Sequence, residues 1–209
     1  TSYLQSTVGG TIITSKFNQD NFLYDENGTR TGEYRAVKRD DTENRYTFSS
    51  QYNKKYNSRF NLRAGAMVQV YALNSNLQDR DMRPDIPDNN GDGVPDYFVV
   101  IRDINEFTPL VELYAQGEYK FSDSFSWNFG LHNQYIDFNG SNAFEPRTAL
   151  TWQYLPNQRI SLAYGLHSQL VPLPLLLYEE QVDEGVYERT NRNLDFMKSH
   201  HYILSYNYN

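Results

Sequence analysis

The sequence predicts an all-β chain, an antiparallel transmembrane β-barrel wall of about eight strands with short turns at one end and long loops at the other. Three observations predict it. Runs of about ten residues alternate aromatic or aliphatic with polar side chains. Short and long connections take turns along the chain. Aromatic residues make up 15% of the chain, yet its mean hydropathy is low and no apolar run nears the roughly 18 residues of a membrane-spanning helix.

The elements follow in order. Tyr3 to Ile13 reads as a strand interrupted by Gly9-Gly10, and a polar loop is expected over 15–43 with Asn27-Gly28 as its turn. Tyr46, Phe48, Ser50 and Tyr52 then alternate with Arg45, Thr47, Ser49 and Gln51. A turn at Asn53-Lys54-Lys55 leads to a strand whose apolar face runs from Phe60 to Val70 on alternate residues. A long loop is expected over 74–106, rich in Pro, Asn and Gly. Val111 to Phe121 and Phe125 to Leu131 form the next two strands, joined at Ser122-Asp123-Ser124. Asn139-Gly140 is a hairpin signal. Strands carrying Leu150, Trp152 and Tyr154, and then Ile160, Leu162, Tyr164 and Leu166, flank Pro156-Asn157. A third long loop covers 169–192, and Tyr202, Leu204, Tyr206 and Tyr208 share one face of the last strand.

In a barrel the apolar faces meet lipid and the others line a hydrated lumen. The lumen or ligand-facing candidates are Arg63, Glu112, Glu118, His132, Arg147 and His167. His200 and His201, being adjacent on a strand, point to opposite faces. Aromatic residues at strand ends, among them Tyr46, Tyr119, Phe121, Trp152, Tyr154 and Tyr206, fit interfacial girdles.

The net charge of −7 and the lack of a basic cluster argue against nucleic-acid binding. There is no cysteine, which excludes disulfides, thiolate metal sites and cysteine nucleophiles. No nucleophile–base spacing, phosphate loop or zinc motif occurs, so no enzyme activity is expected.

The segment from Asp88 to Asp96 matches the start of a Ca²⁺ loop. Asp88, Asn90 and Asp92 place oxygens at positions 1, 3 and 5, Gly93 stands at 6, the Val94 carbonyl at 7 and Asp96 at 9. A hard cation wants six to eight such oxygens. Val99 stands where a bidentate Glu is expected, so Asp85 or Asp103 would have to complete the shell. The segment is also similar to the Asp-Gly-Val-Pro-Asp loops of thrombospondin-type calcium repeats.

Ala143-Phe144-Glu145-Pro146-Arg147, followed by Tyr164-Gly165-Leu166-His167-Ser168-Gln169, resembles TonB-dependent outer-membrane receptors of the Bacteroidetes type. The stretch from Asn193 to Tyr202 is similar to the strand after the next loop in that family. The resemblance is best over 143–209. It implies that residues 1–209 are a segment of a barrel of about 22 strands, with the plug domain and signal peptide outside it. It implies a bacterial outer-membrane location, import of a scarce nutrient captured at extracellular loops, and a TonB-type energy-coupling partner acting through the plug. The apolar loop from Leu170 to Tyr178 could contact a hydrophobic ligand or a surface lipoprotein. The alternatives are a small complete barrel with a structural or adhesive role, and a soluble Ca²⁺-dependent, carbohydrate-binding β-sandwich.

Overall fold

The structure, a computed structural model, describes residues 1–82, 85–183 and 186–208. The chain runs through β1 (Ser2–Tyr24), β2 (Arg30–Lys55), β3 (Phe60–Arg80), β4 (Phe98–Lys120), β5 (Phe125–Ile136), β6 (Asn142–Leu155) and β7 (Gln158–Gln169). A one-turn helix α1 (Leu173–Leu176) and a small hairpin of β8 (Glu180–Asp183) and β9 (Val186–Glu188) precede β10 (Met197–Tyr208). β1 to β7 pair in sequence order and β10 pairs with β7, all antiparallel. These eight strands form one sheet curled into a half-barrel. A sandwich needs two packed sheets; here all the long strands belong to one.

Because side chains alternate across a strand, register decides which residues share a face. One row reads Phe60, Tyr119, Trp127, Leu150, Leu162, Leu204 across six strands. Every member is apolar, and most are exposed on the convex side. Three residues farther along, on the concave side, a row reads Asn53, Arg63, Gln116, Gly130, Arg147 and continues to Gly165 and His201. The alternation seen in sequence is therefore realised as two chemically different faces.

Three connections differ from expectation. The loop expected over 15–43 is mostly strand, because β1 and β2 continue to Tyr24 and from Arg30 around a tight turn. Asp25 Oδ1 closes that turn by accepting the N–H groups of Asn27 (2.9 Å) and Thr29 (2.8 Å), and Gly28 supplies the positive φ of 77°. This part of the hairpin mixes charged and aromatic residues on both faces, with Phe17 and Phe22 beside Lys16 and Asp20, so its sequence carries no amphipathic signal. Cross-strand charges hold it instead, with Lys16 paired to Asp40 at 3.2 Å and Arg35 to Asp20. Likewise β3 and β4 run into the stretch expected as a loop over 74–106, leaving 81–97 as the connection. The turn expected at 53–55 falls at 56–59, where Asn57 Oδ1 accepts the N–H groups of Arg59 and Phe60, each at 2.8 Å.

The long connection after β7 folds inward. Its residues Val171, Leu173, Leu176 and Leu177 are buried with Tyr71, Leu73, Ile104, Leu110, Ile136, Ala143 and Phe196. The sheet residues of this cluster lie on the concave side, toward the long-loop end. Each fully buried leucine contributes on the order of 1.5–3 kcal/mol, which is what ties 170–177 down as a cap. Asn139 Nδ2 anchors the return of the chain by donating to the carbonyls of Arg192 (3.0 Å) and Leu194 (2.9 Å).

Close packing on the concave side also depends on Gly65. A Cβ there would stand 2.7 Å from the Tyr114 ring and 2.8 Å from the Ser50 carbonyl. Gly65→Val should therefore destabilise the sheet by roughly 1–3 kcal/mol, read as a lower thermal unfolding midpoint. Gly9→Ala, where nothing lies within 4 Å, should stay within about 0.5 kcal/mol of the parent. Equal midpoints for Gly65→Val and the parent would refute this packing.

Candidate functional site on the concave face

The concave side holds a cavity of about 650 Å³, centred on the row that carries Arg63 and Arg147. Arg63 comes from β3, where its Nε donates to Asn53 Oδ1 at 2.7 Å. Arg147 comes from β6, opposite Gly130 on β5 and Gly165 on β7. Glycine at both flanking positions leaves the Arg147 side chain room to extend. It stays half-exposed. Glu118 lies one row toward the short turns, accepting from Asn61 Nδ2 at 2.8 Å. His167 folds over Gly165 and meets the ring of His201 edge-on at 4.7 Å. His200 points the other way, to the Tyr164 hydroxyl at 3.1 Å.

One row toward the long loops, Glu145 organises a buried polar network. Its side chain is 1% exposed. Oε1 accepts from Gln134 Nε2 (2.6 Å) and from the backbone N–H of Ser168 (3.0 Å). Oε2 accepts from Arg147 Nη2 (2.7 Å) and faces His132 Nδ1 (3.1 Å). The other ring nitrogen of His132 faces Glu112 Oε2, also at 3.1 Å. With a carboxylate at each nitrogen, both can donate only when the imidazole is protonated. A carboxylate this buried is tolerated because four donors surround it.

The six candidates Arg63, Glu112, Glu118, His132, Arg147 and His167 thus all sit on the concave face. Glu112, His132 and Arg147 are joined through Glu145, which in the sequence stands out only as part of the Ala143–Arg147 stretch. Pro146 separates Glu145 from Arg147, and alternation makes the two charges neighbours on one face. Glu145 also reaches Ser168, so it fixes the point where β7 ends and the cap begins. The apolar segment 170–178 spends Leu173, Leu176 and Leu177 on the sheet and leaves Leu175 and Tyr178 exposed.

The 88–96 loop is built by its own side chains. Asp88 Oδ1 accepts from the N–H of Gly91 (2.8 Å) and Oδ2 from that of Gly93 (2.7 Å). Asn90 Oδ1 accepts from the Asp92 N–H, Asp92 Oδ1 from the Val94 N–H, and Asp96 Oδ2 from the Asn89 N–H. Gly91 and Gly93 have φ of 76° and 82°, the left-handed region that favours glycine. The Gly93 amide, helped by Gly91, holds the Asp88 carboxyl below its ordinary pKa. Val94 is buried, and Arg80 clamps the base of the loop through the Pro95 carbonyl at 2.8 Å. Asp103 lies on β4 beside Asn76. Among the described residues no group of three or more His, Asp or Glu side chains is close enough together to hold a metal.

Removing Glu145 should release the cap. Glu145→Ala leaves His132 and Arg147 without their shared buried partner, at a cost of about 3–5 kcal/mol. The Ser168 amide should exchange hydrogen faster, and protease should cut within 170–178. Unchanged exchange at Ser168 would show that the cap is held without Glu145. No protein-family model matches this chain, and no curated protein matches it significantly.

Proposed function

We propose that this chain is part of the wall of a bacterial outer-membrane β-barrel of the TonB-dependent transporter kind. The complete barrel captures a scarce nutrient at its extracellular loops and passes it inward through the lumen. A TonB-type partner supplies energy through a plug domain, and a surface lipoprotein assists at the loops. The convex face meets lipid, the concave face the lumen, and the short turns the periplasm.

The observation that carries this reading is a pair of aromatic bands on the convex face. Phe60, Tyr119, Phe125, Trp127 and Trp152 gather at the short-turn end. The Tyr119–Phe121 and Phe121–Phe125 rings lie 5.0 and 5.3 Å apart. Tyr46, Tyr135 and Phe144 stand at the other end, all exposed. Trp127 and Tyr135 are separated along β5 by about 26 Å at the usual rise per residue. With strands tilted about 35–45° from the membrane normal, that spans roughly 19–22 Å of height, most of the roughly 25 Å apolar band of outer-membrane barrels. Phe129 and Leu131 fill the interval, and the outward Asn133 is satisfied by Asn142 Oδ1 (2.9 Å) and the Ala143 carbonyl (3.1 Å). At 12 residues each, β5, β7 and β10 are close to the roughly 9–11 residues a tilted membrane strand needs.

The test is fractionation of the native protein carrying this chain, with electrophoresis of boiled and unboiled samples. A heat-modifiable outer-membrane species much larger than 24.5 kDa is expected. Leu131→Arg and Phe129→Arg put a cation on the lipid face between the two bands, costing up to about 2–4 kcal/mol there, and should sharply reduce insertion. A soluble species, or both variants accumulating like the parent, would sink the reading.

Within the same reading we propose that the 88–96 loop takes up Ca²⁺, supported by Asp88, Asn90, Asp92 and Asp96 around the Gly91 and Gly93 turns; these side chains, which accept backbone N–H groups, would draw together around the ion. Calorimetric titration should show Ca²⁺ uptake that disappears in Asp88→Ala. No heat of binding in the parent would remove calcium from the account.

A further inference from the structure

The row that carries Arg63 and Arg147 has a property that neither the fold nor its apolar counterface requires. It sets two guanidiniums on one line across the sheet, with Gln116 and Gly130 between them. Three strand spacings separate their backbones by about 14 Å, and both long side chains line the same cavity. The row itself holds no carboxylate, although the whole chain is acidic at −7; Glu118, which lines the same cavity one row away, is engaged by Asn61. Arg63 uses only Nε on protein, toward the neutral Asn53; among the described residues its two terminal nitrogens have no hydrogen-bond partner. Arg147 uses one terminal nitrogen on Glu145. That carboxylate is shared with His132, Gln134 and Ser168 and lies buried behind the cavity. Both arginines line the cavity, Arg63 between Asn53 and Gln116 and Arg147 between Gly130 and Gly165.

Guanidinium groups present paired N–H donors that match the two oxygens of a carboxylate or phosphate. We infer that this row is a two-point clamp for a small polyanion, one oxyanion group meeting Arg63 and another meeting Arg147 across Gly130. The cavity of about 650 Å³ lies within the roughly 300–1,000 Å³ usual for small-molecule sites. The clamp deepens the transport reading and rests on it, because it names the ligand class as anionic.

The experiment uses the full-length native protein in detergent, titrated calorimetrically with citrate as the polyanion and maltose as a neutral control. Saturable citrate binding is expected, with no maltose binding at the same concentrations. Arg63→Gln and Arg147→Gln should each weaken citrate binding about tenfold or more. Lys16→Gln, which removes an exposed cation on β1 far along the sheet, should bind like the parent. Arg63→Gln is the deciding variant, since Arg63 does not touch the Glu145 network and its loss leaves the cap anchored. Heat-modifiable migration checks that each variant is folded. Absence of saturable citrate binding, or parent-like binding by Arg63→Gln, would overturn the clamp. A native protein that is not a heat-modifiable membrane species would instead overturn the transport reading. An inserted barrel that ignores citrate would overturn the clamp alone.

Discussion

Everything else in this molecule depends on one constraint: an antiparallel sheet whose register is kept through its central rows, the irregularities falling toward strand ends at Gln19, Leu23, Leu77 and Gln153. A slip of one residue in any pair would carry that strand's side chains to the opposite face. Phe60, Tyr119, Trp127, Leu150, Leu162 and Leu204 share the convex face only because five successive registers agree. The same agreement puts Arg63 and Arg147 on the concave face. The apolar surface and the charged cavity are two readings of one alignment, so neither can change by a strand shift without the other.

The concave face is itself graded from end to end. Nearest the short turns it is polar and open, with Asn61, Glu118 and Asn128. The arginine row comes next, then the Glu112–His132–Glu145 network, then the apolar cluster under the cap. Farther along, Asp41, Ser75 and Arg102 bond one another. Glu145 is the hinge between chemistries. Its carboxylate faces the open cavity through Arg147 and the closed end through Ser168. Burying it is costly in isolation, and four donors offset that cost. Beyond the sheet, Arg189 steadies the same connection by pairing with Glu106 and Glu179. Burial disfavours its charge, yet those two carboxylates win and raise its pKa above the ordinary value.

Where a strand had one apolar and one polar face, the sequence was enough to place it. The alternation from Phe125 to Leu131 and from Ile160 to Leu166 located β5 and β7, and Asn139-Gly140 marked the connection between β5 and β6. The long arms of β1 and β2 were invisible for a physical reason: charged residues such as Lys16, Asp20, Arg35 and Asp40 stand on strands solvated on both faces, and no period of two separates them from a loop. The cap was half legible. Leu170 to Leu177 stood out as too apolar for a loop, but its partners Ile104, Leu110 and Ile136 lie far away in sequence. The six concave-face candidates followed from alternation alone. The central role of Glu145 did not, because it emerges from contacts with Gln134, His132 and Ser168 on two neighbouring strands.

The order of strands in the sheet has a consequence for how the chain reaches this state. From β1 to β7 each strand pairs with the next one in sequence, so those pairings can close one hairpin at a time over modest loops. β10 can join β7 only after residues 170–196 have been looped out. Closing that loop carries the largest entropy among the pairings of the sheet. The cap offsets part of it: with Leu173, Leu176 and Leu177 seated on the wall and Asn139 holding the chain near Arg192, the effective loop left to close is much shorter. The apolar cap therefore works as a splint, delivering the last strand to its edge.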